Sequence, residues 1–275
     1  MNMVVVTLLL SLIIITIPIN CNGKDMLTSP PSQRQITPFK EIISYEVFHH
    51  AVKFICALSS STKNVVTIQL SFPSIDIVKV EICEGESAAS EKEGIPFSFS
   101  EQDNEFRLKT DSLQVIIKKD IWKLSICRLN GEPVYSEVNR NSGFVSDGVD
   151  HKICIAADMQ PNEHFYGFGE KFNGLNQRGN KIVMELDDAF ASTDEKTYKS
   201  IPFFISSAHY GLLVNSGERI VFNMGDTSDT CYSFEKPSGK LEYYIFTNKD
   251  PLKIISQYTS ITGRCPLIPQ WAIEP

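Results

Sequence analysis

Between Ser112 and Ser136 the chain reads SLQVIIKKDIWKLSICRLNGEPVYS, with apolar residues at alternate positions. That two-residue period belongs to an extended strand with one buried face, not to a helix. Leu113, Val115 and Ile117 share one side. After a turn at Lys119-Asp120, Trp122, Leu124 and Ile126 return on the same side. Asn130-Gly131 then supplies a hairpin, since both residues tolerate positive φ. Three strands sharing an apolar face need a second layer to cover it, so a sandwich is the expected solution.

The rest of the chain repeats the pattern. ISYEVF, VKFICAL, VVTIQLSF and DIVKVEI are short, β-branched or aromatic, and separated by polar breaks, as half-buried antiparallel strands are. Glu84 to Gly94 is acidic and small, a solvated loop. One helix is expected near the end, with Asp250 as its cap, Pro251 in its first turn and Gly263 beyond it. Leu252, Ile255, Tyr258 and Thr259 mark its expected apolar face. The fold class is therefore all-β, an antiparallel β-sandwich with one short helix near the C-terminus.

The N-terminal run from Val4 to Ile17 is shorter than the roughly 20 apolar residues of a membrane span. Pro18 interrupts it and Cys21-Asn22-Gly23 offers small residues for cleavage, so residues 1–23 read as a signal peptide of a secreted protein. An uncleaved membrane anchor is the alternative. Residues 24–38 are polar and rich in Pro and Ser, an expected linker. The formal net charge of -7, without a basic cluster to offset it, argues against a nucleic-acid partner. Beyond Cys21 there are six cysteines, an even number that permits disulfides, though their placement inside strand-like runs also suits buried free thiols.

Local signatures of catalysis are missing. His49, His50, His151, His164 and His209 form no metal-binding spacing, and no nucleophile elbow or phosphate loop is present. Gly167-Phe168-Gly169 lacks the third glycine of a dinucleotide fingerprint, because Phe172 stands there. No metal or cofactor is expected. The dense block from His164 to Phe204 stands apart. An aromatic-glycine strand, a basic turn, an acidic loop and a Y-K-S-I-P-F-F strand succeed one another in order, which suggests a loop held between two rigid edges.

That order resembles the N-terminal domain of glycoside hydrolase family 31, the α-glucosidases and α-xylosidases. The family's motifs read here as Tyr166-Gly-Phe-Gly-Glu170, Arg178-Gly179, Leu186-Asp187-Asp188 and Tyr198-Lys-Ser-Ile-Pro-Phe-Phe204. The likeness continues through Tyr210 to Asn215, Leu241 to Phe246, Pro251 to Arg264 and Leu267 to Trp271. It implies a galactose-mutarotase-like sandwich over residues 39–265, with residues 266–275 as the start of a (β/α)₈ barrel. A retaining glycosidase needs two carboxylates at the scissile bond. The family's nucleophile motif, W-x-D-x-N-E, starts at neither Trp122 nor Trp271, so no catalytic residue is assigned to this chain. The resemblance assigns Asp188 to sugar hydroxyls, with Leu186 where the family has Asn, and Asp187 and Phe190 as further substrate contacts. The expected role is the N-terminal domain of a secreted α-glycosidase that shapes a carbohydrate pocket, inactive alone, with a missing or separate barrel as partner. A stand-alone carbohydrate-binding or interaction domain is the alternative.

Overall fold

The computed structural model describes residues 35–58, 64–87, 93–146, 151–186, 197–237 and 239–273. The expected signal segment and most of the expected linker lie outside them. Alternating sequence becomes three antiparallel sheets. The largest has eight strands in the order Phe165–Gly169, Ser200–Ser206, Tyr210–Val214, Lys240–Thr247, Ile77–Glu84, Val65–Ser74, Ala51–Ala57 and Ile42–Val47. A six-stranded sheet runs Gln35–Pro38, Gly143–Ser146, His151–Asp158, Cys231–Pro237, Ile220–Asn223 and Lys181–Met184. The meander read from the sequence supplies three strands of the five-stranded sheet, Pro133–Ser136, Lys123–Arg128 and Leu113–Lys118, and Glu105–Lys109 and Ser98–Glu101 complete it.

The eight-stranded sheet faces both of the others across one continuous core. Phe54 meets Phe106 and Trp122 of the five-stranded unit, at 5.3 and 5.8 Å between ring centroids. Tyr243 meets Phe234, and Phe168 meets Phe222, of the six-stranded sheet, at 5.4 and 5.0 Å. Among the described residues, one bridge, between Glu137 and Ala157, joins the two smaller sheets. Leu113, Val115, Ile117, Trp122, Leu124 and Ile126 are all buried in this core, as their spacing predicts. Gly131 takes φ 86° in the expected hairpin, where the Arg128 N–H donates to the Glu132 carbonyl at 2.8 Å.

The helix Pro251–Thr262 lies on the outer face of the eight-stranded sheet. Asp250 caps it by accepting from the Leu252 N–H at 2.9 Å, and Gly263 ends it at φ 100°. Its buried face differs from the expected one. Ile254, with Tyr258 and Ile261, packs on the sheet, while Leu252 and Ile255 are exposed. The sheet decides this: Gly211 leaves a notch, where an added Cβ would lie 2.7 Å from Ile254 Cγ2. Tyr258 stacks on Phe203 with centroids 4.1 Å apart.

Two further expectations change. Gln35–Pro38, read as the end of the linker, is an edge strand paired with Gly143–Ser146. Val65 to Phe72 is buried at every position rather than at alternate ones. This strand lies in the sheet interior, and its outward Thr67 is covered by the chain that follows the next strand, Ile77–Glu84, donating to the Gly85 carbonyl at 2.8 Å and accepting from the Ser87 N–H at 3.0 Å. The six cysteines beyond Cys21 are free thiols; Cys56 and Cys154 are buried and Cys265 is exposed.

Candidate functional site

The block from His164 to Phe204 folds at the end where the eight- and six-stranded sheets both present an edge strand. Phe165–Gly169 pairs with Ser200–Ser206, but the register shifts between Gly167 and Gly169. Phe168 has φ 67°, which turns its ring into the core against Phe204 and Phe222. Both flanking glycines are required by close approach as well as by positive φ. A Cβ would lie 2.6 Å from the Phe203 carbonyl oxygen at Gly167, and 2.0 Å from the Lys199 carbonyl oxygen at Gly169. The glycine motif thus brings one strand's backbone onto its neighbour's just before the two separate.

Beyond Gly169 the two strands diverge into the base of a loop. The Glu170 N–H donates to the Lys199 carbonyl at 3.0 Å, and the Ser200 hydroxyl to the Glu185 carbonyl at 3.2 Å. Leu186 and Thr197 form a parallel bridge, with Thr197 fully buried and Leu186 exposed. Glu185 also accepts from Arg219 Nε at 3.0 Å. Phe172, Leu186, Tyr198 and Ile201 leave large apolar surfaces open to solvent. The predicted substrate residues Asp187, Asp188 and Phe190 lie outside the described residues, between the bridged ends.

The neighbouring turn is held by Arg178, which the sequence marks as part of a basic turn. Its guanidinium donates to the carbonyls of Gln160 and Glu163, both at 2.9 Å, and of Asp229 at 3.1 Å. Asn176 Oδ1 accepts from the Phe165 N–H at 3.2 Å, and the Gln177 N–H donates to the Phe165 carbonyl at 2.9 Å. Residues 176–177 therefore cover the edge strand that would otherwise stand open.

Sequence reasoning missed Glu163, which is buried beneath this turn. Its Oε1 accepts from the Ser206 hydroxyl at 2.5 Å and from Tyr210 Oη at 2.9 Å, and its Oε2 from the Gln160 N–H at 2.8 Å. Tyr210 Oη also contacts Tyr232 Oη at 3.1 Å, and burial pushes both phenols well above their ordinary range. Ser206 and Tyr210 are more than forty residues away in sequence, so no local motif could announce them. A shallow depression of about 280 Å³ lies over this group, lined by Gln160, Pro161, Asn162, Glu163, Ser207 and Ala208. With both carboxylate oxygens engaged by the protein, Glu163 organises the edge.

A family model described as the glycosyl hydrolase 31 N-terminal galactose mutarotase-like domain matches residues 62–223. The chain belongs to this family. Alpha-glucosidase 2 of Bacillus thermoamyloliquefaciens is 29% identical over 221 residues, covering 75% of this chain and 27% of its own. Two solved structures share the fold of this family 31 domain. The cycloalternan-forming enzyme of Listeria monocytogenes, in complex with a pentasaccharide substrate, has a TM-score of 0.80 at 24% identity, over 87% of this chain and 24% of that one. A mutant dextranase of Flavobacterium johnsoniae complexed with isomaltotriose has a TM-score of 0.72 at 28% identity, over 86% of this chain and 30% of that one. The chain spans about a quarter or less of the length of the curated relatives it matches.

Proposed function

We propose that this chain is the N-terminal domain of a secreted α-glycosidase and that it shapes the sugar pocket of a (β/α)₈ barrel. In this reading Asp188 accepts hydrogen bonds from two sugar hydroxyls, each strengthened by its charge. Asp187 supplies a further acceptor and Phe190 a stacking surface. The proposed division is a signal peptide over 1–23, a sandwich beginning at Gln35 rather than residue 39 and ending near residue 265, and a barrel lead-in from 266. The observation that carries the reading is the built loop base. Two glycines forced by close contact, a buried Thr197 and its bridge to Leu186 join the chain leaving the six-stranded sheet to the chain entering the eight-stranded one. The exposed apolar side chains around it are what a second folded unit would cover.

The chain alone supplies no nucleophile and no general acid in this reading. Purified full-length chain is expected to release no nitrophenol from nitrophenyl α-glucoside or α-xyloside, and measurable turnover would overturn that. Calorimetry with an α-linked glucose oligosaccharide is expected to give no heat of binding. Saturable binding by the isolated chain would favour the stand-alone carbohydrate-binding domain instead. Joined to a barrel, an Asp188→Ala chain is expected to raise KM about tenfold or more, the loss of a charged hydrogen bond.

A further inference from the structure

Glu137 sits where all three sheets meet. It comes directly after the strand Pro133–Ser136 of the five-stranded sheet, its backbone bridges Ala157 of the six-stranded sheet, and its side chain reaches Tyr243 of the eight-stranded sheet. The side chain is completely buried. Tyr243 Oη donates to Oε1 at 2.8 Å, Trp122 Nε1 to Oε2 at 3.0 Å, and the Leu124 N–H to Oε2 at 3.4 Å. All three donors are neutral, whereas a buried carboxylate is usually held by a cation or metal.

The groups facing it do not supply that charge. Tyr243 and Cys56 face it from the eight-stranded sheet, Tyr232 from the six-stranded sheet and Tyr135 from the five-stranded sheet. Burial raises each of these four, so all stay neutral near pH 7. Lys123 favours the anion, but it lies toward the surface, 3.7 Å from Asp158. When protonated, Glu137 becomes a donor, and the Tyr243 hydroxyl can rotate to accept from it.

We propose that Glu137 is a proton switch for this three-sheet seam: the sandwich is held most firmly when the side chain is a neutral acid and loosens when it ionises. Burial outweighs the three hydrogen bonds and lifts the carboxyl from its ordinary 4.5 to about 7. Between those values the folded chain holds a proton that the unfolded chain has lost. Stability from this group is therefore full below about pH 4.5 and falls as pH rises through about 7.

The test compares the urea-unfolding equilibrium of the full chain at pH 5 and pH 8 with that of Glu137→Gln. The wild-type folding constant is expected to fall roughly a hundredfold more than the variant's between the two pH values. Equal pH dependence in the two proteins overturns the proposal. A Gln amide turns an N–H toward one of the donors, so the variant can fail to fold, and a second readout needs no change at Glu137. The chain has two tryptophans, so Trp271→Phe leaves Trp122, bonded to Glu137, as sole reporter. Its fluorescence is expected to titrate near neutrality in the folded protein, and emission unchanged from pH 5 to pH 8 overturns the proposal.

Discussion

A methyl group on Gly169 would lie 2.0 Å from the Lys199 carbonyl oxygen, well inside contact distance. Gly131 has nearly the same φ, 86° against 82°, but open space around its Cβ position. The pair separates steric clash from backbone preference. Gly131→Ala is expected to cost about 1 kcal/mol of stability. Gly169→Ala should cost about 3 kcal/mol, because the strand edges must also move apart. Urea unfolding of both variants checks this; equal losses would show that close approach is not what Gly169 provides. At this scale the sequence was partly legible. Tyr166-Gly-Phe-Gly-Glu170 announces a tight backbone, but only the structure pairs its second glycine with Lys199, thirty residues away. Glu163 and Glu137 were not legible at all. A carboxylate in a polar stretch looks like a solvated one until its distant partners, Tyr210 and Tyr243, are brought to it.

Among the elements, the helix Pro251–Thr262 shows where periodicity stops being informative. Its caps come from residue chemistry and were readable, since Asp250 accepts from the second helical N–H and Gly263 takes a positive φ. Its apolar residues form two stripes, one through Leu252 and Ile255, the other through Ile254, Tyr258 and Ile261. The sequence does not choose between them. The notch at Gly211, on a strand forty residues earlier, does. Gly211→Val is expected to expel Ile254 and separate the Tyr258–Phe203 stack, lowering stability by about 2 kcal/mol or more. Asp250→Ala should cost about 1 kcal/mol, the ordinary loss of a helix cap. Amide hydrogen exchange gives the sharper distinction. Gly211→Val should deprotect the helix throughout while the Val65–Ser74 strand stays protected, whereas Asp250→Ala should affect mainly the first turn. Uniform protection of the helix in Gly211→Val would show that the notch does not hold it.

At the scale of the whole molecule, the segment after the helix exposes apolar side chains that the core does not explain. Leu267 is 99% exposed and Trp271 80% exposed, with Ile268 and Ile273 exposed beside them, and the helix shows Leu252 and Ile255 to solvent. The alternation of the strands, and so a layered β fold, was legible in the sequence. The division into three sheets and the order of their strands were not, because pairing of strands far apart in the chain leaves no local trace. The resemblance to family 31 supplied what spacing could not, and the family match agrees with it. Contiguous exposed apolar surface on a folded domain marks a contact site or an aggregation liability. Leu267→Ser combined with Trp271→Ser removes apolar surface without touching a buried contact. The double variant is therefore expected to keep the parent's unfolding midpoint, to bind less of an apolar fluorescent dye, and to stay monomeric at concentrations where the parent self-associates. Sedimentation velocity with dye titration measures both effects. A drop in the unfolding midpoint would mean that this segment packs on the sandwich in solution. Unchanged dye binding would instead place the sticky surface at the loop base, where Phe172, Leu186, Tyr198 and Ile201 stand exposed.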